Sequence, residues 1–439
     1  MKKLIILLTI ALSTMNLMAQ KLDKAKDYLT KGKLAEAKTE IDNFLNVEKN
    51  KTSSEAWFQK AKIYIAVSRD AAMKTSVADA KSTAFDAIKE YYKLEGAVKD
   101  STKRYISMMM DGNTPLVDLY RDYSAEGATF YNANNFGDAL GCFQKSLDVF
   151  DYLYEKKIIN QSFDTTTVLY TGICAEKANK PDVAAVYYGK IAERRIQSEG
   201  FIEIYKWLAD YHAKKGDVAT ASKFVDLGRK TYPGDQFWDA FDLDMVREKG
   251  TKDELWKKYE EVIANNPENH LFRFNYGVEL YQAGYDPDAT KRPSNSVELV
   301  DRAATQLKKC IEMKPDYASA YMVMGQLLYN QGVDVNNAVK AIKLPQGEKL
   351  KPEEIKKREE LKKKKEELRK EVAKKFDEAL PYFEKVDQIL GGQGKLKMED
   401  KQSLKDAYDL LIMIYENKDN KEKAAEYTEK FNTVDKKHS

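Results

Sequence analysis

Cysteine and histidine are nearly missing from this sequence, with three of each in 439 residues. That scarcity removes whole classes of function. Cys142, Cys174 and Cys310 are odd in number and too few for a disulfide framework. They read as small buried apolar residues, with a bridge between Cys142 and Cys174 left open. His212, His270 and His438 are far apart, and none stands at metal-ligand spacing from another histidine or a cysteine. No metal and no cofactor is therefore expected. His212 should pack between helices, and His438 should lie in a C-terminal end that frays. Glycine and proline are also scarce, at 21 and 10, which leaves little punctuation for a many-stranded sheet. Neither charge sign dominates: 73 Lys+Arg against 70 Asp+Glu leave +3, without the concentrated basic face that nucleic acid requires.

Catalytic motifs are lacking as well. The chain has no GxxxxGK[ST], no GxGxxG after a strand, no GxSxG and no HExxH. Gly391, Gly392 and Gly394 follow a helical pattern and precede a lysine-rich stretch, so they read as a hinge between helices. Acidic pairs such as Asp242 and Asp244 are ordinary in a charged helical protein and need a shaped cleft to matter. No catalytic residue is assigned, and a non-enzymatic protein is expected.

The first twenty residues differ from all that follow. Met1, Lys2 and Lys3 precede an apolar run over 4–12, broken only by Thr9, and then a more polar approach to Ala19. This is the layout of a secretory signal peptide over 1–19, cut between Ala19 and Gln20, although Leu17 is large for its place before the cut. The apolar run is short for a membrane anchor, and no cysteine near the cut offers a lipid attachment. Export is expected, to the periplasm first, with secretion or peripheral outer-membrane association as other destinations. Stable membrane insertion after cleavage is not expected.

From residue 21 onward the chain reads as helix, with apolar residues recurring at three and four. Small residues carry the finer signal. Ala25 is followed by Tyr28 at plus three, Gly32 at plus seven, Ala37 at plus twelve and Ile41 at plus sixteen. Gly127 is followed by Phe130, Asn134, Ala139 and Phe143 at the same offsets; Gly172 by Asn179, Ala184 and Tyr188; Ala209 by Gly216, Ala221 and Val225. A small residue and an alanine twelve positions later let two antiparallel helices approach closely, and the large residues fill the space beside them. Ala209, Leu243 and Gly277 are spaced by 34, as are Pro233 and Pro267. Gly277 to Gly325 and Pro267 to Pro315 are both 48, so two independent markers report one insertion of about fourteen residues near 285–296.

These residues resemble the tetratricopeptide repeat, whose 34-residue period they match. The resemblance covers the chain after the leader and implies an all-α solenoid, a right-handed superhelix of about nine hairpins. They run over 22–51, 55–96, 115–155, 165–197, 201–233, 235–267, 269–315, 316–390 and 398–434. Grouped, they give N-terminal hairpins at 20–197, central hairpins at 198–315, a hairpin with a long insertion at 316–390, and a C-terminal hairpin with tail at 391–439. Leu243 stands in the sixth hairpin where a small residue is expected. The second, seventh and eighth hairpins carry insertions between their helices. In the eighth, residues 352–375 are dominated by Lys, Arg and Glu at i, i+4 spacing, predicting a long charged helix that projects past the stack and is kinked at Pro381.

What the resemblance implies for function is a scaffold or adaptor that holds a peptide or partner protein in a concave groove lined by the first helix of each hairpin. The positions four and five beyond the small residue are then the candidate contacts: Tyr131 and Asn132, Tyr281 and Gln282, Tyr329 and Asn330. An aromatic face beside an amide suits recognition of a peptide backbone; equally, these tyrosines can serve as filling between hairpins. The residues that would grip a C-terminal carboxylate are not matched in the first three hairpins. A carbohydrate- or nutrient-capture accessory protein of the cell surface is the alternative.

Overall fold

The computed structural model describes residues 21–347 and 351–439, so the expected signal peptide lies outside the described residues. The described chain is helical with no strand, and it divides into two compact units, Met1–Trp238 and Asp239–Ser439. In the first, α1 (21–30) and α2 (Leu34–Leu45) are followed by α3 (Ser54–Arg69) and α4 (Ala80–Gly96). A short α5 (Ile106–Met110) leads into α6 (Thr114–Asn132) and α7 (Phe136–Glu155). Then come α8 (Thr165–Lys177) and α9 (Pro181–Glu193), and α10 (Ile202–Lys214) and α11 (Val218–Thr231). The helix α12 (Phe237–Lys249) begins in the first unit and continues into the second. The second unit goes on with α13 (Lys252–Asn265), α14 (His270–Gly284), α15 (Ser296–Met313), α16 (Ala318–Ala341), α17 (Pro352–Val386), α18 (Met398–Asn417) and α19 (Lys421–Lys437).

The repeat frame explains why consecutive helices pair. Gly32, Asn134, Asn179 and Gly216, the plus-seven residues, all adopt positive φ, at 68°, 59°, 56° and 78°. Glycine and asparagine tolerate this left-handed turn best, and it ends the first helix. Asn135 and Asp217 then cap the second helix by accepting the backbone N–H of Asp138 and Thr220. The plus-twelve alanines, Ala37, Ala139, Ala184 and Ala221, are fully buried. At Gly127 and Gly172 a Cβ would lie 2.8 Å from the ring of Phe143 and 2.6 Å from that of Tyr188, so only glycine admits the plus-sixteen aromatic.

The insertions leave this contact intact. In the seventh hairpin Gly277 meets Leu307, and a Cβ there would lie 2.9 Å from Leu307 Cγ. Leu307 is the plus-sixteen residue displaced by the fourteen inserted ones. In the eighth, Gly325 meets Phe383, and a Cβ there would lie 2.7 Å from the ring. Gly332, at plus seven, makes no turn: α16 continues to Ala341, and Gly332 serves a second close approach, where a Cβ would lie 2.7 Å from the Phe376 ring.

The predicted charged helix is α17, 35 residues long, and it passes through Pro381 before a π-helical turn over Asp387–Gly391. The pairing of Gly325 with Phe383 and Gly332 with Phe376 fixes an antiparallel register that sets Ala341 opposite residue 367. Residues 352–366 thus run past the end of α16, by about 22 Å at 1.5 Å per residue.

Two sequence expectations need correction. The C-terminal end is not frayed at His438, whose side chain is 1% exposed, with Nδ1 2.8 Å from the carbonyl oxygen of Gly394. Nor are the glycines at 391–394 a free hinge: Lys437 Nζ donates to the Gly391 carbonyl at 2.7 Å, and the Leu396 N–H to the His438 carbonyl at 3.3 Å. All three cysteines are free thiols. His212 packs as expected, its ring stacked 5.5 Å from Phe224.

One local motif recurs in both units. Gly96 ends α4 and Gly284 ends α14, and each is followed after three residues by Asp-x-Thr-Lys-Arg, at 100–104 and 288–292. Asp100 and Asp288 each accept the N–H of the threonine two residues on, at 3.1 Å. Arg104 and Arg292 fold back to donate from Nε to the carbonyls of Val98 and Asp286, at 2.7 and 2.6 Å.

Candidate functional site

In the first unit, residues of α8 and α10 leave an open groove of about 670 Å³. Leu169, Ile173 and Glu176 come from α8, and Glu203, Lys206, Trp207 and Asp210 from α10, with Phe237 at one end. Leu169, Ile173, Trp207 and Phe237 are half-buried, whereas Glu176, Glu203 and Asp210 are exposed. The floor is therefore apolar and the rim acidic. In the repeat frame Leu169, Ile173 and Glu176 stand at minus three, plus one and plus four from Gly172, and Lys206 and Asp210 at minus three and plus one from Ala209.

The packing beneath holds this face open. Trp207 stands edge-on to Tyr188, with centroids 5.1 Å apart, and stacks on Tyr211 at 5.0 Å with planes 7° apart. Its ring is thus fixed by neighbours in its own and the preceding hairpin. The Tyr188 hydroxyl donates to Glu176 Oε2 at 2.7 Å, and burial together with that carboxylate drives the hydroxyl pKa far up. Glu176 is thereby held at the rim as an acceptor. Lys206 pairs with Asp235 at 3.1 Å and Glu203 at 3.3 Å, and its Nζ lies 5.6 Å from the centre of the Phe237 ring. Burial works to lower the Lys206 pKa, but the two carboxylates outweigh it and raise it. The one lysine of the groove is therefore balanced by acids, and the remaining rim charge is negative. Such a surface can hold a segment that presents apolar and cationic side chains together.

The tyrosine–amide pairs read from the sequence occupy varied surroundings. Tyr131 is half-buried, edge-on to Phe136 at 5.7 Å and to Tyr170 of the next hairpin at 5.2 Å, while Asn132 is exposed. Tyr281 and Asn330 are brought together: Asn330 Nδ2 donates to the Tyr281 hydroxyl at 2.7 Å. Burial pushes that hydroxyl up to about 12. Tyr281 also stacks on Tyr285 of the insertion at 5.4 Å, and Gln282 is exposed. Tyr329 stacks on Phe376 at 5.1 Å, and its hydroxyl reaches Met413 Sδ at 3.4 Å. The groove residues at minus three and plus one were open to the same frame but were not singled out, because only the offsets four and five were followed.

The close small-to-large contact repeated from hairpin to hairpin, with left-handed turns at plus seven, gives an all-α stack of helical hairpins similar to the tetratricopeptide repeat. No protein-family model and no curated protein matches it. Among solved structures it is similar to the C-terminal part of a TPR repeat-containing protein from Cytophaga hutchinsonii, at 15% identity, TM-score 0.42, over 72% of this chain and 96% of that one. A TPR repeats protein from Bacteroides fragilis is similar at 15% identity, TM-score 0.29, over 66% and 98% of the two chains. A complex titled as the TPR2AB domain of yeast Sti1 with a pHSP90 is similar at 13% identity, TM-score 0.22, over 66% and 98%. Among the described residues no helix is long and apolar enough to cross a membrane.

Proposed function

We propose that this chain is a non-enzymatic scaffold of the cell envelope that holds a peptide or partner helix along the inner face of its first helices, centred on the groove between α8 and α10. The observation that carries this reading is the half-buried apolar floor of Leu169, Ile173 and Trp207 under an acidic rim. Packing within a hairpin requires the small and plus-sixteen residues and makes no demand for an open apolar strip at Leu169, Ile173 and Trp207. Asn132, Gln282 and Asn330, with their tyrosines, are proposed as further contacts along the first helices of the third, seventh and eighth hairpins.

The test is affinity capture from envelope fractions with the mature chain, beside Ile173→Glu and Trp207→Gln variants. One stoichiometric partner captured by the parent and lost by both variants, with melting temperatures within a few degrees, is the expected result. Undiminished capture by both variants would remove the groove from the reading. The envelope part rests on the signal-like residues 1–19. Intact mass of the protein from a periplasmic fraction should give a chain beginning at Gln20. A chain retaining Met1 in the cytosolic fraction would sink export.

A further inference from the structure

We propose that the occupant of the α8–α10 groove is the projecting part of α17 from a second copy of this chain, so that copies associate head to tail. The inference rests on the groove reading above and adds the identity of the partner. Two features of one sequence complement each other. The groove is lined by Glu176, Glu199, Glu203 and Asp210 against the single cation Lys206. Past the end of α16, residues 356–365 carry seven basic residues against two acidic ones.

The projecting helix has the chemistry that the groove selects. Lys356, Lys357, Lys362, Lys363 and Lys364 are exposed, and Ile355 among them is 50% exposed. Intrahelical pairing leaves most of this charge available; Lys362 meets Glu359 at 2.8 Å, and Lys370, further along, meets Glu366 at 3.7 Å. Long lysine stems cover apolar surface while their heads reach a rim of carboxylates, and a lysine over the face of Trp207 gains a cation–π contact. Ile355 supplies the apolar side chain for the floor of Leu169 and Ile173. The helix is continuous with the packed half of α17, whose Phe376 and Phe383 are buried, so it is presented rigid, with little ordering left to lose on docking. Donor and acceptor surfaces are different patches of the chain, so one copy offers the helix and the other the groove at each contact.

Light scattering on the full mature chain tests this. At about 0.1 M salt the mass should rise with concentration. At about 1 M salt, where the screening length falls to about 3 Å, it should return to that of one chain. Glu199→Lys with Asp210→Lys, and separately Lys363→Glu with Lys364→Glu, should each give single chains at both salts, since all four residues are exposed and away from the core. Mixing the two reversed variants should restore association. A parent chain that stays single at low salt overturns the proposal, as does a reversed variant that associates like the parent. If the parent is single while Ile173→Glu still loses an envelope partner, self-docking fails and the groove reading stands. If association follows the charge reversals but no envelope partner is ever captured, self-docking stands and the adaptor reading fails.

Discussion

Gly127 and Gly172 each sit under the face of a plus-sixteen aromatic ring, and the missing methyl group decides how near two helices come. Adding that group at Gly172 sets it 2.6 Å from Tyr188, whose own hydroxyl is tied to Glu176, so the ring has little freedom to yield. Gly172→Ala is expected to destabilise the chain by about 1–3 kcal/mol, read as a lower urea midpoint with unchanged slope. The outcome also discriminates between causes, because alanine is the better helix former and would stabilise if propensity alone mattered. A second residue-level expectation concerns acid. Burial works to raise the Asp42 pKa, but the Tyr64 hydroxyl at 2.7 Å, with Lys38 and Lys60 at 3.0 Å, outweighs it and holds the carboxyl below its ordinary value. The folded pKa lies below the unfolded one, so this stabilisation is full above about pH 4 and is lost as pH falls through the folded value. Between neutral pH and about pH 3, Asp42→Asn should lose less of its urea midpoint than the parent; an equal loss in both would show that Asp42 is not the linked group.

Hairpins are the scale at which the sequence was most informative. The small, large and turn residues of Ala25, Gly127, Gly172 and Ala209 lie where the offsets predicted, because close helix approach fixes residue size at few positions and leaves the others free. The insertion after Gly284 was located by two markers, since added residues shift every later contact by the same amount. What stayed hidden depends on contacts distant in sequence. The clamp of His438 and Lys437 on the carbonyls of Gly394 and Gly391 joins residues more than forty apart, and no period announces it. Gly332 carried the turn signature of plus seven, yet it serves a ring contact with Phe376, and nothing local separates the two uses. For the candidate site, the frame defined the inner face, but the choice among its offsets needed to know which side chains neighbouring hairpins leave uncovered. The connection at 285–295 makes an element-level prediction. Arg292 binds Asp334 through both carboxylate oxygens, at 2.7 and 2.9 Å, and lies over the Tyr285 ring at 4.2 Å. A charge-assisted pair this well covered contributes about 1.5 kcal/mol. Arg292→Ala should therefore raise amide exchange across 285–295 about tenfold while leaving α18 and α19 as protected as before.

At the scale of the whole molecule, stability is shared between neighbours. Tyr131 of α6 touches Tyr170 of α8, Trp207 of α10 touches Tyr188 of α9, and Tyr205 of α10 reaches the Ala192 carbonyl at 3.4 Å, so each hairpin completes the burial of the one before it. Such a stack behaves as a one-dimensional array, in which a local defect weakens its own repeat and the adjoining interfaces and decays along the chain. A compact globule with one core would instead lose stability everywhere at once. Gly172→Ala separates the two when followed by hydrogen exchange under native conditions. Protection should fall most in α8 and α9, less in α7 and α10, and least in α3 and α4, whose Ala61, Ile65, Ala84 and Ile88 lie in a cluster that reaches α7 but includes no residue of α8 or α9. An equal loss across α3 to α11 would show that the first unit unfolds as one body, and the groove between α8 and α10 could not then open or close without the rest.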